Sequence, residues 1–565
     1  MRWAVSADFE TTTDPKDCRV WAWAVALIED PEQVYYGNSI QTFMNWLSRG
    51  NVHTAWFHNL AFDGKFILDY LMRCGYKYCK RNPGREQFSA LISGKGKFYQ
   101  LEVCFGNGVT VIFQDSLKVF PMTVARIAKT FNLPEQKGDL DYRKYREPGH
   151  KITDEELYYI SHDVQIVARA LQQNFAQGLE KMTIGANAMA FFKQQFGKKA
   201  FKTYFPTLSL EADSDIRKAY RGGFTYVDPE YAGVEIGEGI SVDYNSMYPS
   251  VMKKYPYPCG APVIFEGQYE YDPAYPLYVQ RMVVEFSLKP EGVPMLQLKN
   301  KGFYGNHEYV RETVAPVEIT VTSVDWEIMQ RMYDVDVLMY AGGYKFAARK
   351  GLFDEYIDYW GHVKETSTGG LRQLAKLMLN NLYGKFATNP DVTGKIPVYD
   401  AEEGIVRYVL GEEETRDPVY IPVGVFCTAY ARRELLFAIL DNRDRFVYCD
   451  TDSLHLLGTE PPANIPIHDK ELCHWKVEGT FSRAKHLRAK AYVWDLNGKF
   501  SVTCAGMPDD VKALVNWDNF EYGFSNAFTD KDGNTKICPL FAKLLPKTVP
   551  GGVVLLDSVY QLHAQ

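Results

Sequence analysis

The sequence has ten cysteines but no C-x-x-C pair, so neither a zinc site nor a disulfide framework is indicated, and the reduced thiols of an intracellular protein fit best. It has no G-x-x-x-x-G-K-[ST] loop, which excludes a Walker-type nucleotide hydrolase. Its apolar runs, such as Val20 to Ile28, are far too short to span a bilayer. The chain opens Met-Arg-Trp-Ala-Val-Ser-Ala-Asp and enters a strand directly, without the basic region, apolar run and cleavage site of an export leader, so no membrane association is expected. Internal repeats and low-complexity tracts are absent. An excess of basic charge is absent too: 63 basic against 70 acidic residues leave −7. That balance decides nothing about a polyanionic partner, because a nucleic-acid binder needs only a basic channel, and acidic metal sites lower the total.

What is present is length and aromatic content. A chain of 565 residues exceeds what one core organises and should divide into several domains. Hydrophobic and charged fractions of 46% and 24% are those of an ordinary globular protein. The 38 tyrosines and 33 phenylalanines suit stacking on bases and core packing equally.

The most informative stretch is Arg445 to Leu457. Phe446, Val447 and Tyr448 read as a strand, Asp450-Thr451-Asp452 as a loop, and Leu454, Leu456 and Leu457 as the return strand. Carboxylates at i and i+2 project to one side of an extended chain, repel each other, and ionise comfortably only beside a cation. Hard oxygen ligands of this kind suit magnesium; an Asp-rich hairpin turn is the other reading.

Near the N-terminus, Asp8 and Glu10 repeat the i, i+2 pattern at a strand end. Trp56-Phe-His58-Asn59-Leu-Ala-Phe62-Asp63 runs from a strand into a helix expected to begin near Asp63. A second helix, opened by Asp154-Glu-Glu, carries Tyr159 and Asp163 four residues apart on one face. Taken singly, Asp63 fits a helix-start cap, Asp163 a solvated carboxylate and Tyr159 a core ring. Together, Asp8, Glu10, Asp63 and Asp163 form an ordered set able to hold two metal ions for in-line phosphodiester hydrolysis, with Tyr159 orienting the attacking water.

From about residue 184 further motifs follow. Tyr220-Arg-Gly222-Gly223 offers a bend or a close backbone approach. A strand delivers Asp243, followed by Ser246, Tyr248 and Pro249. Arg372, Lys376, Asn380 and Tyr383 share one face of a helix expected over Leu371 to Phe386, and Lys364 lies just upstream. Asn389 to Pro418 reads as a hairpin-like excursion. Thr428 to Arg432 reads as a helix opening, Leu487 to Tyr492 as a basic and aromatic strand-like run containing Lys490, and Pro550 to Asp557 as a turn into an apolar strand.

The Asp-x-Glu, Asn-x3-Asp and Tyr-x3-Asp series resembles the three exonuclease motifs of the DEDD proofreading nucleases, in the branch with a tyrosine before the last aspartate. Asp-x2-Ser-Met-Tyr-Pro at 243–249, Lys-x3-Asn-Asn-x-Tyr-Gly at 376–384 and Tyr-Cys-Asp-Thr-Asp-Ser at 448–453 resemble motifs A, B and C of family B DNA polymerases. Tyr-Arg-Gly-Gly-Phe (220–224), Asn-Pro-Asp-Val-Thr-Gly-Lys (389–395) and Pro-Gly-Gly-Val-Val-Leu (550–555) narrow the resemblance to the protein-primed, phi-29-type branch, over essentially the whole chain.

That resemblance implies an α/β (α+β) architecture. A ribonuclease-H-like 3′–5′ exonuclease domain over 1–183 would precede a right-hand polymerase domain over 184–565. Within the latter, the palm would span 184–254 and 416–504, the fingers 352–387 and the thumb 505–565. A first insertion, 255–351, would contact terminal protein and template, and a second, 388–415, would give processivity and strand displacement.

The resemblance also implies residue roles. Asp243, Asp450 and Asp452 are the polymerase carboxylates, with Asp243 and Asp452 the direct ligands of Mg²⁺, for which Mn²⁺ can substitute. Tyr248 excludes a ribose 2′-hydroxyl, while Lys364, Arg372, Lys376, Asn380 and Tyr383 take the nucleotide. Lys490 and Tyr492 hold the primer, and Thr428, Arg432, Tyr220, Gly222 and Gly223 bind DNA. His58, Asn59, Phe62, Ser116 and Leu117 hold single-stranded DNA in the nuclease, and Lys137 is its catalytic lysine. The implied partners are primer–template DNA, deoxynucleotides and a terminal protein forming a heterodimer with an otherwise monomeric enzyme, in the cytoplasm of an infected bacterial host.

Three departures from the family pattern stand out: Asn381 where serine is usual, Arg372 where lysine is usual, and Met247 for leucine. Arginine's rigid fork binds phosphate differently from lysine, so nucleotide affinity is the property expected to change. A nuclease with a degenerate polymerase half, and a non-catalytic replication factor, are the rival classes; both fit the seven carboxylates and their neighbours less well.

Overall fold

The computed structural model describes residues 2–135, 138, 140–142, 144–299, 303–305, 307–529, 535–537 and 543–564. Lys137, expected as a catalytic lysine, lies outside the described residues.

The N-terminal part is built on a mixed sheet. Its strand order runs Val34–Gly37, Val20–Leu27, Trp3–Thr11, Val52–Phe57, Thr110–Asp115, Phe98–Cys104, Gln87–Ser93. Trp3–Thr11 pairs antiparallel with Val20–Leu27 and parallel with Val52–Phe57. Every residue of Val20–Leu27 is buried, as expected of a strand covered on both faces. Val25 and Leu27 join the core beneath the helices Ile40–Leu47 and Leu60–Arg73, whereas Ala24 and Ala26 face Ile160, Val164 and Val167 of the long helix Asp154–Ala176. Small residues on that face let the long helix come close to the strand that carries Asp8 and Glu10. Thr153 and Glu156 close a reciprocal capping box at its start.

A second sheet, in the order Lys499–Cys504, Ala491–Leu496, Trp475–Arg488, Gly239–Tyr244, Ser453–Leu457, Phe446–Asp450, Thr225–Val227, carries Asp243 and the turn Asp450-Thr451-Asp452. Between its parts, Tyr257–Phe265, Tyr333–Arg349, Leu277–Leu288 and Val317–Thr322 make a separate four-stranded sheet. Two helices, Asp354–Thr366 and Gly369–Phe386, pack as a pair. The hairpin Asp391–Asp400/Ile405–Thr415 extends the N-terminal sheet through Gly394 and Lys395, which pair with Ser93 and Ile92. A second hairpin, Lys543–Val549/Gly552–Ser558, lies against the helix Leu60–Arg73. There Gly551, at φ 95°, comes so close to the Cys18 carbonyl that a Cβ would stand 2.1 Å from it. Among the described residues no helix is long and apolar enough to cross a membrane.

Three local expectations change. The helix bearing Asp63 starts at Leu60, with Asn59 in the left-handed region (φ 84°) at its N-cap, so Asp63 is no cap but a buried first-turn residue. Thr428 and Arg432 do not open a helix; they lie in the middle of Ile421–Asp441. Pro422, favoured in the first turn, is the start signal, and the almost uniformly buried sequence hides any period. The run Leu487 to Tyr492 is not one strand: Leu487 and Arg488 end one strand, Ala491 and Tyr492 begin the next, and Ala489 and Lys490 turn between them, with Lys490 at φ 57°.

Candidate active sites

Asp8 and Glu10 face the long helix, and Asp163 meets them from it; one carboxylate oxygen of each lies within 4.8 Å of the others. Asp63 approaches from the helix start and is 3% exposed. Burial, then the charges of Asp8 and Glu10, push its carboxyl well above the usual range. Its Oδ1 is buried with no hydrogen-bond donor. An orphaned carboxylate oxygen beside three converging acids is the donor set a hard divalent cation takes, so these residues fit the expected metal pair.

The acids line a cavity of about 740 Å³ shared with Thr12, His58, Asn59, Phe62, Tyr142 and Tyr159. The far hairpin closes it with Leu544, Val554, Leu555 and Asp557, and Asp510 also lines it. Tyr159 hydrogen-bonds Tyr142 through the two hydroxyls. Burial and the Asp163 charge hold the Tyr159 hydroxyl protonated, well above its ordinary range. His58 bonds Ser116 Oγ at 2.9 Å and the Met122 carbonyl at 2.7 Å. Ser116 is fully buried and its hydroxyl also donates to the Phe57 carbonyl, so it braces His58. Leu117 donates its backbone N–H to Asp115. Asn59 is exposed and Phe62 half-buried at the cavity wall.

At the second site, Asp243 sits opposite Ser453, and the turn Asp450-Thr451-Asp452 closes beside it. Thr451 has φ 58°, and the Tyr244 N–H donates to the Asp452 carbonyl at 2.6 Å. Burial, then the charges of Asp243 and Asp450, push the Asp452 carboxyl up to about 7. Burial raises that of Asp243 as well, against the pull of Lys476. Lys476 Nζ lies 3.2 Å from Asp243, and Lys490 Nζ 3.4 Å from Asp450. Thr225 Oγ1 donates to Asp450 at 2.8 Å. Among the described residues, no group as close as Asp8, Glu10 and Asp163 forms here; ammonium groups hold the acids, and both lysines are exposed enough to swing away.

Around these acids, Tyr248 stacks on Tyr383 with centroids 4.0 Å apart. Lys364 Nζ donates to Ser246 Oγ at 3.0 Å, and Arg372 donates to the Lys364 carbonyl at 2.8 Å. Burial, then the charges of Arg372 and Lys376, lower the Lys364 ammonium's pKa. Arg372, Lys376 and Asn380 are exposed on one helix face. Asn381 is half-buried and donates its side-chain amide to the Leu377 carbonyl of its own helix at 2.8 Å. Tyr492 packs on Tyr448, whose hydroxyl accepts from the Lys490 N–H at 3.1 Å.

Thr428 and Arg432 are buried at 1% and 2% exposure, so direct DNA contact is closed to them in this arrangement. Arg432 pairs with Asp325 at 2.8 Å and donates to the carbonyls of Arg221 and Gly222 at 2.6 and 2.9 Å. It supports the Tyr220–Gly223 loop, whose Gly223 packs against Thr451: a Cβ there would stand 2.7 Å from Oγ1. Tyr220, Gly222 and Gly223 are exposed. Sequence reasoning missed Lys476 and Tyr142, which belong to no motif, and it read 550–557 as a turn into an apolar strand without placing that strand at this cavity.

Comparison with known proteins agrees with this geometry. The family described as DNA polymerase type B, organellar and viral, matches residues 48–147 and 142–467. The DNA polymerase of Bacillus phage Nf is 44% identical over 99% of both chains, and that of Bacillus phage phi29 is 44% identical over 99% of this chain and 98% of its own. The solved structure of phi29 DNA polymerase complexed with primer-template DNA and incoming nucleotide substrates matches with a TM-score of 0.93 at 43% identity, covering 100% of both chains. The same polymerase complexed with single-stranded DNA matches at 0.92 with equal coverage. The chain therefore belongs to the type B DNA polymerases, organellar and viral, and within them to the phi29 type.

Proposed function

We propose that this DNA polymerase proofreads with its own 3′–5′ nuclease and copies a linear phage genome by protein-primed, strand-displacing synthesis in the host cytoplasm. The observation that carries the reading is the existence of two separate acid sites: Asp8, Glu10 and Asp163 within 4.8 Å in one cavity, and Asp243, Asp450 and Asp452 on another sheet. Asp243 and Asp452 in one site, and Asp8, Glu10, Asp63 and Asp163 in the other, would hold Mg²⁺, which when bound would supply counter-charge to phosphate oxygens and lower the pKa of the attacking hydroxyl or water.

The chain's own residues do the rest. Asp450 is fixed by Thr225 and Lys490. Lys364, Arg372 and Lys376 form the basic face for a triphosphate, and Tyr248 on Tyr383 forms the floor on which a ribose 2′-hydroxyl would collide. Lys490 and Tyr492 grip the primer strand. In the nuclease, Tyr159 holds a protonated hydroxyl beside Asp163, suited to orienting water, and Phe62 and Leu555 flank the seat of a frayed strand.

Strand displacement is supported by the hairpin 391–415, which bridges to the nuclease sheet and so can close around DNA. Protein priming is supported by the resemblance to the protein-primed branch over the whole chain and by the separate four-stranded sheet within 255–351, which stands apart from the sheet of the polymerase acids.

A labelled primer–template with a downstream duplex tests the reading. With Mg²⁺ and deoxynucleotides, extension through the duplex is expected, and without nucleotides, 3′ degradation. Extension that stops at the duplex removes strand displacement, and a primer left intact without nucleotides removes proofreading.

A further inference from the structure

Glu434 lies on the helix Ile421–Asp441 with 11% of its side chain exposed. Three donors converge on it. Tyr244 Oη donates to Oε2 at 3.1 Å, Lys254 Nζ to Oε1 at 2.7 Å, and Tyr255 Oη also to Oε1. Burial, then the Glu434 charge, push the Tyr255 hydroxyl above its ordinary range, so it stays a protonated donor. Around them, Tyr255 stacks on Tyr430 at 4.3 Å, Arg433 donates to Tyr255 Oη at 3.1 Å, and Tyr244 meets Trp475 edge-on at 5.2 Å.

The placement of the donors matters. Tyr244 follows Asp243 directly, and its N–H is tied to the Asp452 carbonyl. Lys254 and Tyr255 end the short helix Met247–Lys254, whose second residue is Tyr248. One carboxylate thus grips both ends of the segment 244–255, which contains Ser246 and Tyr248. At the other end of that segment Ser246 stands at φ 49°, a conformation that needs support from its surroundings.

We infer that Glu434 is a positioning residue: it fixes the 244–255 segment, and through it the Tyr248 ring, at the distance that separates deoxyribonucleotides from ribonucleotides. Glu434 touches neither substrate nor acid site and acts through Tyr244, Lys254 and Tyr255. The inference rests on the reading of Tyr248 as the ring that excludes a 2′-hydroxyl.

The test is single-nucleotide incorporation of dATP and of ATP, with kcat and KM resolved, beside 3′ degradation of a single strand. Glu434→Ala should lower the deoxy-over-ribo discrimination about tenfold, chiefly through a lowered KM for ATP, because a displaced Tyr248 ring no longer collides with the 2′-hydroxyl and small displacements of a positioned group carry changes of this order. Degradation should stay within about twofold of the parent. Glu434→Gln, whose amide oxygen can accept from Tyr255 and Lys254 and whose NH2 can donate to the Tyr244 hydroxyl oxygen, should recover most of the discrimination. Tyr244→Phe with Tyr255→Phe, which preserves core volume, should reproduce the loss if Glu434→Ala does not fold. A structural role alone lowers both nucleotides alike, so an unchanged ratio in the alanine or double phenylalanine variant overturns the inference. Tyr248→Val is the control: if its ratio moves and that of Glu434→Ala does not, only the inference falls. If neither moves, the ribose reading falls and takes the inference with it.

Discussion

The two acid sites solve one electrostatic problem in opposite ways. In the N-terminal domain, three carboxylates approach within 4.8 Å and Asp63 is buried beside them. At the polymerase sheet, the acids stay further apart, and lysines stand against Asp243 and Asp450. The first arrangement stores repulsion that a divalent ion relieves. The second is already partly neutralised, and its lysines must move before an ion takes their place. On the proposed reading, the N-terminal pocket would take metal as it stands, and the pocket at the polymerase sheet would take it once Lys476 and Lys490 move.

The largest expected effect tests whether the sites are independent. Asp450→Ala with Asp452→Ala should abolish extension, by about a thousandfold or more, and leave single-strand degradation intact; Asp8→Ala with Glu10→Ala should do the reverse. Loss of both activities in either variant breaks the two-site description.

A second variant concerns how the polymerase turn is held. Arg432 is buried against Asp325 and supports the backbone of Arg221 and Gly222, next to Gly223 and Thr451. Arg432→Met leaves Asp325 charged and unpaired in the core, a loss of roughly 3–5 kcal/mol. Thermal unfolding should shift down strongly and extension should fall, and Arg432→Met with Asp325→Leu should regain much of the stability. If Arg432→Met keeps the parent stability and only weakens DNA binding, Arg432 is a DNA ligand after all.

That residue also marks where sequence reading stops. The acid motifs were legible because ligand chemistry demands fixed types at short spacing: Asp-x-Glu on one strand face, Asp-x-Asp on one turn, and tyrosine one helical turn from Asp163. The strands and helices that carry them were legible from their periodicity. Thr428 and Arg432 were legible as family motifs but not as buried groups, since Asp325 lies over a hundred positions away and no local pattern announces the pair. The wall that Leu555 and Asp557 give the nuclease cavity is invisible for the same reason. Tertiary partners at long separation leave no period in the chain.

A smaller effect, on stability rather than rate, measures the repulsion itself. The Asp452 carboxyl is held at about 7, against an ordinary 3.8, by burial and by Asp243 and Asp450. The folded protein therefore keeps a proton that the unfolded chain has released. The stability this group contributes is fully present below the unfolded value, and it is lost as pH rises through the folded one. Asparagine cannot ionise, so metal-free Asp452→Asn should melt a few degrees above the parent at about pH 8, and the gain should shrink towards about pH 5. Asp63→Asn should behave with the same sign at the nuclease site, since burial and Asp8 raise that carboxyl too. Mg²⁺ should narrow both gaps by favouring the ionised parents. The nuclease pair should respond at the lower Mg²⁺ concentration, because Asp8, Glu10 and Asp163 already converge within 4.8 Å of one another, whereas Lys476 stands on Asp243. A gain independent of pH would mean that packing, not charge, produces it.

The smallest expected effect is at the link between the two halves. Glu414 on the hairpin 391–415 takes Lys80 at 2.5 Å and Arg81 at 3.1 Å from the nuclease domain, but the two basic side chains are 61% and 70% exposed. Ion pairs open to solvent contribute little and are screened by salt. Firmer attachments hold the same hairpin: the backbone pairing of Gly394 and Lys395 with Ser93 and Ile92, and the Phe98–Tyr408 ring contact at 5.6 Å. Glu414→Gln should therefore leave the melting profile unchanged and slow strand displacement only at low ionic strength. Tyr408→Ala, which empties a site between the two halves, should slow displacement at every salt concentration and lower the melting temperature. Equal losses in the two variants would place the ion pair, rather than the apolar seam, as the clasp that joins the hairpin to the nuclease domain.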